Sequence, residues 1–321
     1  MDKLPVCAKR IQQAKHSCAK KSLPVICILL CLLFVSSARA DRGAIAFSEG
    51  VDIFEPRQQA MIAWDGKEEI LVLSTDMYAS KPTSVLEVLP LPSRPEVAES
   101  DPEIFIKATK LINSKLSDER SADGSKSLGK GGLFRELPAG EIAFYDRIGV
   151  HSISVAHVLE GAEFTQWVRS YLIAQGVTGS LIPQVLTDSI EEYIQEGFKW
   201  FVFDVVNLEA ALKTNQAIQY RFKSKSLFYP LKISRTNKGR TQIQLLILTP
   251  ELLNEFKGIP ASQIDLAHQP LEITSAELRA LNDEMDDMFE HRENMKLRIW
   301  NIYGDLASFD KDLIAKSRKR R

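Results

Sequence analysis

The segment from Ala217 to Pro250 restricts the fold more than any other part of the sequence. Tyr220-Arg221-Phe222-Lys223 alternates aromatic and cationic residues, which is the period of a β-strand with one buried face. Within Ile243–Leu248 the alternation gives way to a continuous apolar run. Such a run is typical of a strand that is covered on both faces.

Three strands are predicted in this segment, namely Ala217–Phe222, Tyr229–Ser234 and Thr241–Thr249. Between the last two, Asn237-Lys238-Gly239 supplies residues that tolerate positive φ, so we expect a hairpin there. Pro230 has no amide donor and therefore belongs at a strand start or on a sheet edge.

The remaining sequence predicts a mixture of strands and helices. Asp65-Gly66 is a favoured turn dipeptide and predicts a hairpin between two flanking strands. Strands are predicted at Gln58–Trp64, Glu69–Thr75, Ser84–Leu89 (stopped by Pro90), Glu141–Tyr145, His151–Val158 and Lys199–Leu208. Helices are predicted at Asp101–Leu116, Glu163–Ala174 and Leu186–Gln195, where apolar residues recur at helical spacing.

The C-terminal part has a different pattern. Thr274 and Glu277 match a capping box, and apolar residues such as Leu278, Met285 and Trp300 predict a mostly helical stretch as far as Lys316. The predicted fold class is therefore α+β: an antiparallel β-sheet core with packed helices, plus a helical C-terminal extension.

Three regions are predicted along the chain. Residues 1–40 form a signal peptide that is removed. Residues 41–250 form the α+β domain, with a flexible loop at 117–140 that is rich in Ser, Gly and Lys. Residues 251–321 form the helical extension, which ends in a basic tail.

The leader has the parts of a secretory signal peptide. Lys20-Lys21 precede the apolar run Leu23–Val35, and Ala38-Arg39-Ala40 follows it. The run is 13 residues long, whereas a membrane-spanning helix needs about 20. We expect an exported protein, periplasmic or secreted after cleavage near Ala40, with no transmembrane span in the mature chain. An uncleaved anchor is the alternative.

Cysteine and charge distributions separate the leader from the rest. Cys7, Cys18, Cys27 and Cys31 all lie in the leader, so the mature chain has no disulfide, thiol nucleophile or cysteine-bound metal. Seven basic residues against Asp2 give residues 1–40 a net charge of +6, and because the whole chain is −1, the remainder carries −7. An acidic body argues against nucleic-acid binding.

Near-matches to catalytic motifs each lack a required part. Gly124–Gly131 resembles a phosphate-binding loop, but Gly131 stands where Ser or Thr should hold magnesium. Ser127-x-x-Lys130 and Ser308-x-x-Lys311 lack the companion motifs of penicillin-recognising enzymes. We therefore assign no cofactor and no catalytic residue, although a pair of carboxylates distant in sequence would leave no local motif.

Metal ligation is not predicted either. The histidines after the leader, which are His151, His157, His268 and His291, show no metal-ligating spacing. The acids Asp283, Glu284, Asp286, Asp287 and Glu290 lack the glycine and spacing of a calcium loop and indicate a solvated helix face.

The cations near the centre of the chain form the one candidate binding surface. The residues are Arg221, Lys223, Lys225, Lys232 and Arg235. They could keep one face of a sheet hydrated and discourage edge pairing. Alternatively, they could bind anionic envelope components such as lipid head groups or acidic polysaccharide.

Several segments resemble a bacterial family of exported proteins known as domain of unknown function 2330. They are Gln58–Gly66, Val88–Ser93, Ile148–Val155, Phe164-x-x-Trp167-Val168, Tyr193-Ile194-x-x-Gly197-Phe198-x-x-Phe201-Val202 and Tyr220-Arg221-Phe222-x-Ser224. Together they span about residues 45–250. The resemblance implies an exported domain behind a signal peptide, and it brings no activity and no functional residues.

Two functions follow as expectations. The first is an exported cell-envelope protein with a non-enzymatic binding or scaffolding role, whose partner is an anionic envelope component or another protein bound through the C-terminal helix. The alternative is an envelope hydrolase whose active site is assembled from residues distant in sequence.

Export gives the first testable prediction. N-terminal sequencing of the protein from the producing cell should give Asp41 as the first residue, because the Ala38-Arg39-Ala40 end fits signal peptidase. A protein that retains Met1 would contradict cleavage.

Overall fold

Strands outnumber helices in the computed structural model and occur in runs that are separated by single helices or pairs of helices. It describes residues 44–317 except 52, 75, 102, 119–139, 149, 180–181, 210–216, 238 and 255. The predicted leader, nearly all of the predicted loop 117–140 and residues 318–321 of the basic tail lie outside the described residues.

The first half contains these elements: β1 (Ile45–Ala46), β2 (Ile53–Trp64), β3 (Glu68–Leu73), β4 (Asp76–Ala79), β5 (Thr83–Leu91), β6 (Glu96–Ser100), α1 (Ile104–Asp118), β7 (Gly140–Ile148), β8 (His151–Val158) and α2 (Gly161–Ala174). The second half contains α3 (Gln184–Gln195), β9 (Trp200–Leu208), β10 (Ala217–Lys223), β11 (Leu227–Tyr229), β12 (Arg240–Thr249), β13 (Ile264–Leu266), β14 (Leu271–Ile273), α4 (Ser275–Leu281), α5 (Asp283–Met288), β15 (Met295–Asp305) and β16 (Leu313–Ala315).

Two large sheets are built from these strands. The larger has the order β13-β15-β12-β2-β3-β10-β6, with β14 beside β15 and β4 beside β2. The smaller has the order β1-β5-β9-β8-β7, and β11 pairs with β16 separately. Most neighbours are antiparallel, but β12 and β2 are parallel. The α+β class is confirmed, with a purely antiparallel smaller sheet and a mixed larger sheet.

The two sheets pack face to face. Leu89, Val155 and Val202 of the smaller sheet share one buried core with Ile62, Leu245 and other residues of the larger sheet. We call this the inter-sheet core. On the outer faces, α2 and α3 cover the smaller sheet, while α1, α4 and α5 cover the larger. The layers therefore follow the order helix, sheet, sheet, helix.

The apolar run of β12 is explained by this layering. Leu245 and Ile247 point into the inter-sheet core, while Leu246 and Leu248 point toward α4 and α5. All four side chains are fully buried, and each such burial contributes about 1.5–3 kcal/mol. The prediction of a strand covered on both faces is confirmed.

Local sequence signals also place several other elements correctly. Asp65-Gly66 turns β2 into β3, and the Asp65 carboxylate accepts hydrogen bonds from the amides of Lys67 and Glu68 at 2.7 Å. Asp101 accepts from the Glu103 amide before α1. Thr274 and Glu277 form the predicted capping box of α4.

The predicted helical extension at 251–321 is wrong except for α4 and α5, because β13 and β14 precede these helices and β15 and β16 follow them. β15 pairs along its whole length with β12, from Arg240↔Asp305 to Thr249↔Lys296. The helical interpretation rested on the spacing of apolar residues, but Lys296-Leu297-Arg298-Ile299 alternates with the period of a strand. Pairing with the most apolar strand of the protein decides between the two patterns.

Smaller corrections concern turns and strand ends. Ser84–Leu89 does not stop at Pro90, because β5 continues to Leu91. The predicted strand Tyr229–Ser234 is also wrong, since β11 ends at Tyr229 and a 3₁₀ turn follows at Lys232–Thr236. The strand after Gly239, β12, pairs with β2 and β15 and not with β11, the strand before Asn237, so the predicted hairpin pairing is wrong.

None of the helices in the described part of the chain is both long and apolar enough to span a bilayer.

Two glycines test how closely the backbone before β16 approaches Gly258. Gly258 and Gly197 both have φ of +93°, but a Cβ at Gly258 would lie 2.1 Å from the Asp312 carbonyl oxygen, whereas nothing lies within 4 Å at Gly197. We expect Gly197→Ala to cost about 1 kcal/mol and Gly258→Ala to cost about 3 kcal/mol or more. Urea denaturation measures both, and equal costs would contradict the close approach at Gly258.

Candidate functional site

Arg221, Lys223 and Lys225 lie together at the end of β10. The Arg221 guanidinium donates to the Glu68 carboxylate on β3 at 2.7 Å, and Glu96 is its register partner on β6. Burial alone would lower the pKa of Arg221, but the hydrogen bond and charge of Glu68 raise it. Lys223 and Lys225 are exposed.

Lys232 and Arg235 lie elsewhere, in the 3₁₀ turn against α3. Lys232 is 2% exposed; its Nζ is 2.7 Å from the Glu196 carboxylate and 4.0 Å from the centre of the Tyr193 ring. Arg235 pairs with Glu192 at 2.5 Å. The five predicted cations therefore do not form one surface. An anion-binding role stays a prediction, for which Lys223 and Lys225 have the most accessible side chains.

Asp312 lies buried beneath Lys232. Its Oδ1 accepts from the Tyr193 hydroxyl at 2.7 Å and from the Lys232 backbone amide at 2.9 Å. Burial raises the pKa of Asp312 to about 6, against the opposing effect of these hydrogen bonds. Burial and the Asp312 charge raise the pKa of Tyr193 well above its ordinary value. This cluster joins α3, the 3₁₀ turn and the segment before β16.

A histidine–aspartate pair lies inside the protein. His151 Nδ1 is 2.6 Å from Asp204 Oδ2, and the two residues are 0% and 2% exposed. On the larger sheet, burial raises the pKa of Glu69 well above its ordinary value, although the Phe228 amide donates to it. These side chains are fully buried between the sheets, and none of them lines the cleft described below, so they do not constitute an open active site.

One described cluster has the composition of a metal site. Ligand atoms of Asp286, Asp287 and His291 lie within 4.8 Å of one another. However, Asp286 already accepts from the Arg279 guanidinium at 2.7 and 3.0 Å and from Ser275 at 2.6 Å. Burial alone would raise the pKa of Asp286, but hydrogen bonds from Ser275, His291 and Arg279 lower it. The Arg279 guanidinium already supplies the positive charge that a metal ion would bring to Asp286, so the cluster fits a structural role.

An open cleft of about 650 Å³ lies beside β1. It is formed by the first strand and the loop after it, the start of α3 and the end of the 3₁₀ turn. The lining residues are Ala44, Ile45, Ala46, Ser48, Glu49, Gly50, Val51, Ile53, Pro183, Gln184, Val185, Thr236 and Asn237. Glu49 is the only ionisable side chain among these described lining residues.

The cleft borders an open strand edge. β1 is the outermost strand of the smaller sheet and, within the described part of the chain, pairs with β5 alone. The Phe47 amide donates to Ser84 O at 2.9 Å. Because successive strand residues direct their backbone groups to opposite sides, the N–H and C=O of Ala46 point away from β5.

Sequence reasoning missed the cleft because its residues carry no motif. Ala44–Ile53 lies in a stretch that predicts only irregular structure, and β1 is two residues long. Gln184, Thr236 and Asn237 come from parts of the chain that meet only in the fold. The sequence does carry a turn signal at Asn237, but that signal predicts a hairpin and does not indicate that Asn237 lines a cleft.

Fold and site together define an α+β protein of two packed sheets with an open cleft at a sheet edge. A family model described as "Uncharacterized protein conserved in bacteria (DUF2330)" matches residues 36–287, and the chain belongs to this family. The family resemblance seen in the sequence is thereby confirmed. No curated protein matches the chain.

Solved structures of a baculovirus protein show a weak similarity. A mutated baculovirus P35 after caspase cleavage has a TM-score of 0.40 at 8% identity, with 82% of this chain and 100% of that chain covered. Baculovirus P35 itself has a TM-score of 0.37 at 12% identity, with 86% and 100% covered. Scores this low establish no shared fold, and nothing about function follows from them.

Asp312 gives a prediction for pH and stability. Its folded pKa of about 6 lies above the ordinary value of 3.8, so the stability that it contributes is complete below pH 4 and is lost as pH rises through 6. The loss is about 3 kcal/mol, since one pKa unit is worth about 1.4 kcal/mol. Asp312→Asn keeps an acceptor for Tyr193 and Lys232 and should abolish this loss.

The measurement is the free energy of unfolding of both proteins between pH 4 and pH 8. Asp188→Asn is the control, because Asp188 is exposed on α3. A parallel pH profile for wild type and Asp312→Asn would contradict the buried titration.

Proposed function

We propose that the protein is an exported cell-envelope protein that binds an extended peptide segment of another envelope protein in the cleft beside β1. Its role is non-enzymatic binding or scaffolding. The supporting observation is that Ala46, whose backbone N–H and C=O point away from β5, lines the same cleft as several amide and hydroxyl side chains.

Strand addition is the binding mode that suits such a site. An extended peptide pairs with an open sheet edge through main-chain hydrogen bonds, and pockets for alternate side chains give specificity. Neither backbone group of Ala46 has a hydrogen-bond partner among the described residues. Ser48, Gln184 and Asn237 can bind polar groups of the peptide, and Val51 and Val185 can contact its apolar side chains.

The composition of the cleft favours binding over the alternative, an envelope hydrolase. Hydrolysis by acid–base chemistry needs a pair of carboxylates, and a serine nucleophile needs a base such as histidine. The described lining residues include Glu49 and Ser48 but no histidine and no second carboxylate. The buried His151–Asp204 pair belongs to the inter-sheet core instead.

Export and an envelope location are part of the proposal. They are supported by the basic region, apolar core and Ala-x-Ala end of residues 1–40. Lys223 and Lys225 are exposed. They can therefore bind anionic envelope material as a second contact, in addition to the peptide in the cleft.

Ala46→Pro tests strand addition directly. Proline removes the outward N–H but leaves the pairing with β5 intact, as edge strands tolerate proline in this orientation. Peptides from digested envelope proteins of the producing bacterium are captured on the wild type, and dissociation constants are measured with synthetic copies. We expect Ala46→Pro to weaken binding at least tenfold and the control Ala46→Val to change it less than about threefold.

Two results would overturn the proposal. Equal affinity of the wild type and Ala46→Pro would exclude pairing along β1. Cleavage of the peptides by the wild type but not by Glu49→Gln would replace binding with the hydrolase alternative.

A further inference from the structure

Arg298 is a buried cation on β15 that has no acidic partner among the described residues. It is 3% exposed and belongs to the face of the strand that carries Trp300 and Ile302 toward the inter-sheet core. Its Nη2 donates to the Thr249 hydroxyl and, at 3.4 Å, to the Lys296 carbonyl. Its Nε has no hydrogen-bond partner.

An unpaired buried guanidinium is costly, because the charge loses its water without gaining a counter-charge. No carboxylate among the described residues forms an ion pair with Arg298, and burial lowers its pKa to about 10. The side chain remains charged at neutral pH. Glu272, on the neighbouring strand β14, is bound to Lys296 instead.

Trp300 adds a second buried donor to the same face. Its Nε1 is buried and has no hydrogen-bond partner. Residues two apart on a strand lie about 7 Å from each other, so one acceptor group between the two side chains can be reached by both. A pair of unpartnered donors, one of them charged, requires an acceptor that carries negative charge.

A gap in the edge of the sheet lies beside these donors. β13 ends at Leu266 and β14 begins at Leu271, so the edge of the sheet is interrupted beside Arg298. His268 lies in this interruption, with its Nδ1 2.7 Å from Gln269 O and its Nε2 buried without a partner. Ala267 and Gln269 on either side are exposed.

We propose that Arg298 and Trp300 form a binding site for a small oxyanion, a carboxylate or a phosphate group. The Arg298 guanidinium supplies the charge and one donor, the Trp300 indole supplies a second donor, and Thr249 holds the guanidinium in place. Thr249 is available for this because its own proton goes to Glu251 O at 2.6 Å. The site shares no residue with the cleft beside β1, and its existence does not depend on peptide binding there.

Isothermal titration of the full mature chain tests the site, with inorganic phosphate and acetate in separate arms at constant ionic strength. One arm or both should show saturable binding, and the stronger arm identifies the class of oxyanion. Arg298→Met should abolish this binding, and Trp300→Phe should weaken it about tenfold to a hundredfold, as expected for one lost hydrogen bond to a charged group. Arg240→Met, on the exposed end of β12, is the matched control and should bind like the wild type.

Thermal unfolding provides a readout that separates binding from folding. A saturable oxyanion raises the unfolding temperature of the wild type in proportion to its occupancy, and Arg298→Met should show no such rise while still unfolding cooperatively. If Arg298→Met does not fold, Trp300→Phe decides the question alone. The proposal is overturned if neither phosphate nor acetate binds saturably. It is also overturned if Trp300→Phe and Arg298→Met both bind the oxyanion as tightly as the wild type does.

Discussion

The pairing of β12 with β15 is the interaction on which the other layers depend. The two strands pair from Arg240 to Thr249 without interruption, and β12 also pairs with β2 on its other side. Because Leu245–Leu248 are buried on both faces, this central pair supports the inter-sheet core and the helical layer at once. Residues after position 287, where the family match ends, therefore complete the same sheet as the matched residues.

Local sequence patterns predicted the elements whose partners are near in sequence. The β2–β3 hairpin, the three long helices and the α4 capping box follow from turn chemistry, spacing and caps. The fold class and the burial of β12 also followed. The register of the sheets did not, because partners such as Gln58 and Ile243 are joined only by tertiary structure. β15 was mistaken for helix because two apolar periods overlap in it, and only pairing with β12 selects one.

The candidate sites were less accessible to sequence reasoning than the fold. The density of cations around Arg221 and Lys232 suggested one surface, yet three of the five side chains bind carboxylates on β3 and α3. Charge counts along a sequence do not show which cations are neutralised in space. The cleft and the Arg298 site consist of ordinary residues, and what distinguishes them is a missing hydrogen-bond partner, which only coordinates reveal.

The parallel pairing of β2 with β12 has a consequence for how the protein folds. β2, near position 60, can form its parallel pair only when residues near position 245 are present. β12 in turn pairs on its other side with β15, near position 300. Contacts so distant in sequence slow folding, since a long loop must close before they contribute. The central sheet is therefore completed only after residues as far as Asp305 have been synthesised. Until then β12 lacks the strand on one of its sides, and an apolar strand with an unpaired edge is prone to aggregate.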